Sequence, residues 1–257
     1  MQIRRILANN PGPFTGPGTN TWLVEQDDAV IVIDPGPVDT SHGDRILDAA
    51  EGKSPVGVLV THTHPDHAPL ANPLARELGA PAFGYAPGPD FEPDLELREE
   101  SALGIGGARL QVIHTPGHAD DHLCFRIGDV LFTGDHIMGG SSVMVEDMGR
   151  YLASLTKLRG TGLTRLHPGH GEDMDHPDQV IDWYLAHRLQ RHEEIVDAIR
   201  GGAGTTEDIV EIVYRDVDRA LHPLAARSVT AHLTLLIEQG RIAPNGPDFV
   251  ILPSNPP

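Results

Sequence analysis

Between Val56 and His67 the chain passes from an uninterrupted apolar run, Val56-Gly57-Val58-Leu59-Val60, straight into Thr61-His62-Thr63-His64-Pro65-Asp66-His67. A continuous apolar run of this length reads as a strand buried on both faces. Four ligand-type side chains therefore emerge, within six residues, from the end of a strand inside a sheet. In extended chain His62 and His64 project to one side. A helical turn begun at Pro65 would let Asp66 and His67 address a second point a few ångströms away. One loop can thus serve two adjacent cations, as in two-metal hydrolases whose ions lie about 3.5–4 Å apart. The plainer alternative, a capped helix start with surface histidines, suits a lone histidine better than three with an aspartate.

Two cations need more donors than this loop owns. Histidine is the commonest metal ligand, and nine of the 15 histidines lie between His62 and His170. Three further loops match in character, each after a strand-like run: His114-Thr115-Pro116-Gly117-His118, Gly134-Asp135-His136 and His167-Pro168-Gly169-His170-Gly171. Glycine and proline fix tight turns that present a side chain at a sheet's edge. A carboxylate such as Asp135 can bridge two cations with its two oxygens, which an imidazole cannot. Histidine with carboxylate oxygen suits zinc, and manganese or iron would accept the same set.

Around these loops, Thr21 to Ile33 reads as two strands about a turn at Gln26-Asp27-Asp28, delivering Asp34 to a loop. Helical spacing marks 40–51, 72–79, 150–158 and 178–200, and strands are expected at 81–83, 110–113, 123–127 and 130–132. Strands and helices mixed in this order suggest sheets covered by helices. Gly201-Gly202-Ala203-Gly204 is the best linker. Beyond it, Thr205 or Thr206 caps a helix with an inner stripe of Ile209, Ile212 and Val213. A second helix presents Val229, Leu233, Leu236 and Ile237, with Gly240 after its end, and Asn245-Gly246 marks a hairpin. Helix, helix, hairpin is a winged-helix pattern. Its four arginines face seven acids, a net charge of −3. A duplex-DNA grip should be basic, so packing or shaping of substrate choice is the expected role.

The whole chain of 257 residues carries a net charge of −18, a field that repels polyanions. Its one cysteine, Cys124, cannot form an internal disulfide and reads as an inert core thiol. No apolar run of signal-peptide or membrane-spanning length occurs, so the expected address is the cytoplasm and no membrane partner is expected.

Several motifs together resemble the metallo-β-lactamase superfamily, and more narrowly its lactamase-beta-like protein 2 branch. They are Asn10-Pro11-Gly12-Pro13, Gly18-Thr19-Asn20-Thr21, Ile33-Asp34-Pro35-Gly36, the His62–His67 loop, Thr115-Pro116-Gly117-His118-Ala119-Asp120-Asp121-His122, Gly134-Asp135 and Pro168-Gly169-His170-Gly171. Ala119 stands where that branch more often has threonine. The resemblance implies an α/β fold, a four-layer αββα sandwich at 1–200 with a small winged-helix-like domain at 204–257. It assigns His62, His64 and His118 to one zinc, Asp66, His67 and His170 to a second, and Asp135 to the bridge. Asp34 would orient the ligand loop without touching metal, and Asp66 would also serve catalysis by orienting the attacking hydroxide. The remaining histidines read as follows: His114, His122, His136 and His167 lie beside ligands as supporting or structural groups rather than ligands; His42, His176, His187, His192 and His222 lie at the surface; His232 falls off the inner stripe.

A dinuclear hydrolase working through a metal-bridging hydroxide follows from this reading. The branch implies an endoribonuclease acting on single-stranded RNA, against which the −18 charge counts, partly offset by two dications at the site. The alternative is a small-molecule thioester, lactone or β-lactam hydrolase resembling glyoxalase II, which an acidic surface does not oppose. A non-catalytic regulator that binds nucleic acid through its tail is the weakest of the three readings. Only 34 residues separate Asp135 from His170, too few for the large cap that some nucleases of the superfamily insert there.

Overall fold

A computed structural model describes residues 1–139 and 142–253; the last four positions of the 204–257 segment lie outside the described residues. The chain divides into two compact units, Met1–Val143 with Gly160–Asp178, and Met144–Arg159 with the residues from Gln179 onward.

Two six-stranded sheets build the first unit. One is ordered β1 (Gln2–Leu7), β2 (Asn20–Gln26), β3 (Ala29–Ile33), β4 (Ser54–Leu59), β5 (Ala82–Gly84), β6 (Leu95–Glu96). The other runs from β7 (Ala102–Ile105) through β8 (Ala108–His114), β9 (Leu123–Ile127), β10 (Val130–Gly134) and β11 (Arg165–Pro168) to β12 (Met174–Asp175). Alternation sorts the side chains. Trp22, Val24, Ile31 and Ile33 join Val112, Phe125 and Phe132 in a core between the sheets. Leu23, Val30 and Val32 point the other way, against Ile46, Ala50 and Leu74 of helices α1 (Thr40–Ala50) and α2 (Ala71–Leu78). Each such burial stabilises by about 1.5–3 kcal/mol. A slip of one residue would exchange the two faces, so the register is firmly set.

The sheets place five strand ends together. β3 and β4 are parallel, as are β10 and β11, and β8 and β10 share a direction because each is antiparallel to β9. At their carboxyl ends Leu123 N–H donates to Thr61 O at 2.7 Å and Asn20 N–H to Gly169 O at 2.8 Å, stitching the two sheets along one edge. Every ligand loop leaves from that edge. Strand β1 escapes the sequence reading because Gln-Ile-Arg-Arg-Ile-Leu does not alternate and is half-exposed; only pairing with β2 makes it a strand.

In the second unit, α3 (Met148–Leu158), α4 (Pro177–Arg200), α5 (Thr206–Val213) and α6 (His222–Glu238) precede a hairpin of β13 (Ile242–Asn245) and β14 (Asp248–Ile251). Ile195, Ile199, Ile209, Val210, Val229, Leu233, Leu236 and Ile242 form its core. Thr205 caps α5 in a reciprocal box with Asp208. Two stripe positions are corrected: Ile212 is 49% exposed, with Val210 buried in its stead, and Ile237 is 38% exposed. Three histidines are corrected as well. His42 in the first unit and His192 and His232 in the second are all buried. In the second unit His192 Nε2–H donates to Gln239 Oε1 and its Nδ1 meets Nδ1 of His232, both at 3.2 Å. A polar partner inside the unit, which no local pattern announces, is what admits an imidazole to this core.

Candidate metal centre

The site begins with Asp34, just beyond β3, at φ 51°, a left-handed conformation that aspartate tolerates better than most residues. Its Oδ1 accepts Thr61 N–H at 2.8 Å, and its Oδ2 accepts Thr61 Oγ1–H at 2.7 Å and His67 Nδ1–H at 2.9 Å. Beyond β4, His67 N–H bonds back to His64 O at 3.0 Å, closing one turn over Pro65 and Asp66. This is the turn expected from Pro65, and it splits the loop's donors into two groups.

His62, His64 and His118 form the first group. His62 Nε2 is 2.9 Å from His64 Nδ1, and His118 Nε2 lies 3.3 Å and 3.1 Å from those two atoms. Asp66, His67, Asp135 and His170 form the second. There His170 Nε2 stands 3.2 Å from His67 Nε2, 3.1 Å from Asp66 Oδ2 and 3.4 Å from Asp135 Oδ1. Asp135 spans the groups: Oδ1 is 3.4 Å from His67 Nε2, and Oδ2 is 3.8 Å from His118 Nε2. All seven residues named from the sequence as ligands are thus brought together, and Asp34 stands directly behind His67.

The donor chemistry fits cations. Three rings have their outer nitrogen pinned by a protein acceptor: His62 Nδ1 by Thr61 Oγ1 at 3.0 Å, His67 Nδ1 by Asp34, and His170 Nδ1 by Gly18 O at 3.2 Å. Each then turns Nε2 inward, the nitrogen left for a metal. The buried Asp135 Oδ1 faces two imidazole nitrogens, His67 Nε2 and His170 Nε2, each at 3.4 Å. Burial, reinforced by the neighbouring rings of His67, His118 and His122, holds His62 well below its ordinary pKa; burial and the His118 and His67 rings hold His64 down to about 4. Both stay neutral and able to ligate. In the second group burial opposes charge, yet the carboxylates win. Asp135 and Asp34 push His67 well up, and hydrogen bonds to Asp135 and Asp66 raise His170 to about 9. Burial would raise Asp135 too, but His67 and His170 hold it well below the usual carboxylate range. Two carboxylates in one buried cluster demand positive charge, and a divalent cation displacing those protons supplies it.

Glycine makes the close approach possible. A Cβ on Gly169 would stand 2.6 Å from Asp135 Oδ1 and 2.7 Å from His67 Cε1. At Gly134, φ is +47° and a Cβ would meet Thr61 Oγ1 at 2.7 Å.

The neighbouring histidines take distinct places. His122 is buried behind Asp135, whose N–H donates to its Nε2 at 3.2 Å. His167 is buried against Trp22 and Phe132, and His136 is buried near His122. His114 stacks on Tyr85 with ring centroids 4.5 Å apart. Sequence reasoning missed Thr61, Asn20, which binds the carbonyls of Pro168 and Gly171 at 3.0 and 2.9 Å, and Asp121, whose Oδ2 accepts Thr63 N–H at 2.9 Å. Asp34, Thr63, Pro168 and Gly171, the partners, lie 27 to 151 positions away along the chain, so spacing carries no signal of them. The ligand loops 61–69, 114–122, 134–139 and 167–173 contain no Lys or Arg but six carboxylates, Asp66, Asp120, Asp121, Asp135, Glu172 and Asp173. Arg5, beside the last loop, is paired with Glu172 at 3.1 Å.

Comparison with known proteins gives the family and the fold. The model of the metallo-beta-lactamase superfamily matches residues 14–89 and 79–174, and that of the beta-lactamase associated winged helix domain matches 205–247. A Drosophila melanogaster protein, "Beta-lactamase-like protein 2 homolog", is 32% identical over 93% of this chain and 89% of its own. "Atrochrysone carboxyl ACP thioesterase" of Aspergillus chevalieri is 32% identical over 84% of this chain and 74% of its own. The crystal structure of a metallo-beta-lactamase family protein from Thermus thermophilus superposes with a TM-score of 0.81 at 22% identity, covering 97% of this chain and 98% of the other.

Proposed function

The chain belongs to the metallo-β-lactamase superfamily and is a hydrolase, and from that premise we propose that it uses two divalent cations to hydrolyse small acyl thioesters, esters or lactones. The convergence of His62, His64 and His118 on one point and of Asp66, His67 and His170 on another, with Asp135 turned to both, is the observation that supports it. Bound there, zinc, or manganese or iron in its place, would bring the pKa of water toward 7 and draw electrons from the substrate carbonyl. Asp66, with its side chain 26% exposed, faces both the cluster and solvent. Its carboxylate can accept a hydrogen bond from the attacking water and set its direction. Asp34 and Gly18 O keep His67 and His170 from rotating, and burial holds His62 neutral.

Charge argues for the substrate class. A phosphodiester strand brings one negative charge per nucleotide, and its binders meet it with Lys and Arg. Loops with six carboxylates and no Lys or Arg, on a chain of net charge −18 that two cations would offset only in part, favour a carbonyl electrophile. The relative named as a thioesterase supports the same reading. Single-stranded RNA is the second reading, favoured by the relatives named as Beta-lactamase-like protein 2 homologues, which match over 93% of the chain. With a net charge of −3, the winged-helix-like tail is proposed to have no strong hold on duplex DNA. No helix among the described residues is long and apolar enough to cross a membrane, and a cytoplasmic setting remains part of the proposal.

Zinc-reconstituted full-length protein, assayed on an acyl thioester, a lactone, a β-lactam and a single-stranded RNA, tests the choice. Turnover of thioester or lactone with intact RNA is expected, and Asp135→Ala should abolish it. RNA cleavage with no turnover of the carbonyl substrates would reject this reading in favour of the second.

A further inference from the structure

Two consecutive residues outside the ligand set each grip a backbone N–H of a ligand loop. Asp121 Oδ2 accepts Thr63 N–H at 2.9 Å, and Thr63 is the residue between His62 and His64. His122 Nε2 accepts Asp135 N–H at 3.2 Å. The next residue, Leu123, donates its N–H to Thr61 O at 2.7 Å. Three successive positions on one strand entrance therefore hold loops from both sheets.

The hydrogen bonds of His122 have a fixed direction. Cys124 Sγ–H donates to Thr133 O at 3.7 Å, so Thr115 Oγ1–H donates to Cys124 Sγ at 3.2 Å. Thr115 Oγ1 then accepts from His122 Nδ1–H at 2.9 Å, which leaves Nε2 bare to receive Asp135 N–H. His122 is fully buried, so no water replaces that acceptor if the ring is removed. Asp121 sits on the half-exposed side of the same segment, and its bond to Thr63 fixes the spacing of the two rings flanking that residue.

We infer that Asp121 and His122 are positioning residues with separate charges: Asp121 sets the His62–His64–His118 group alone, whereas His122, through Asp135, sets both groups. The division follows from what each one grips, since Thr63 adjoins ligands of the first group and Asp135 faces both. The inference rests on the two-cation reading of the site. Removal of a residue that supports a metal ligand lowers affinity about 10–100-fold.

Competitive zinc titration of the full chain against a chromophoric chelator reads each site's affinity without reference to turnover, and the visible spectrum of the cobalt(II) form reports the geometry. The unaltered chain should bind two ions. Asp121→Ala should weaken one of them about 10–100-fold and leave the other unchanged. Asp121→Asn, which keeps an acceptor oxygen, should restore it. His122→Ala should weaken both ions, and His122→Gln, whose amide oxygen can take the place of Nε2, should recover most of the loss. If Asp121→Ala loses its cooperative melt, Asp121→Ser, too short to reach Thr63, takes its place. Unchanged affinities in Asp121→Ala, equal loss at both sites, or an Asp121→Asn no better than alanine would overturn the inference while leaving the two-cation reading intact. Failure of the unaltered chain to bind two ions would overturn both.

Discussion

His67 donates Nδ1–H to Asp34 Oδ2 at 2.9 Å while its opposite nitrogen, Nε2, lies 3.2 Å from Nε2 of His170. Asp34 thus governs a ligand it does not join. Its two oxygens accept three hydrogen bonds, two of them from Thr61 at the head of the ligand loop. Asn in its place has one acceptor oxygen and must turn an NH2 toward either Thr61 or His67. Asp34→Asn should therefore weaken the second-group cation about 10–100-fold. Metal competition on the purified variant checks this; parental affinity would show that His67 needs no such anchor.

Gly169 is where the second group is tightest. A Cβ there would lie inside contact distance of both Asp135 Oδ1 and His67 Cε1, at 2.6 and 2.7 Å. Gly169→Ala should cost about 1–3 kcal/mol of stability through overpacking and should deplete the second cation as well. Urea unfolding read beside metal content tests the pair of effects. Lost stability with full metal content would mean that the loop shifts as a whole.

Stability should fall with acid through His42. Its Nε2–H donates to Thr21 Oγ1 at 2.9 Å and its Nδ1 accepts from Arg45 Nη2 at 3.0 Å, so a second ring proton would meet a donor. Burial and the Arg45 charge lower its pKa to about 4 against 6.5 for the ordinary ring. The folded ring refuses a proton that the unfolded ring takes up, so stability is full above about pH 6.5 and is lost as pH falls toward 4. Between pH 7.5 and 5 the loss from this one group is about 2 kcal/mol. His42→Gln should flatten the pH dependence of the unfolding free energy, read by urea titration, by that amount. An identical dependence in variant and parent would show that His42 is not held neutral.

Much of the site was legible because its chemistry is local. The run from Val56 to Val60 and the donors at 62–67 sit on one short stretch, and the Gly-Pro turns mark the other ligand loops. The assignment of donors to two separate cations came from the family resemblance, and the loop's own spacing only allowed it. What stayed hidden depends on distant partners. His42 reads as a surface residue of an amphipathic helix until Thr21 and Arg45 close around it. His192 and His232 reveal their burial only by facing each other across 40 positions. Strand β1 needs its pairing with β2, and Asp121 needs Thr63. The α5 stripe went wrong at one position because Ile212 and Val210 satisfy helical spacing almost equally, and only packing against α6 selects between them.

Metal content of the full-length protein after reconstitution, counted per chain by elemental analysis, tests the two-cation centre most directly. The account predicts two equivalents of zinc in the parent, retained on desalting, and a loss in both His64→Ala and Asp135→Ala. A folded parent that retains no metal after exposure to zinc, manganese or iron would contradict it.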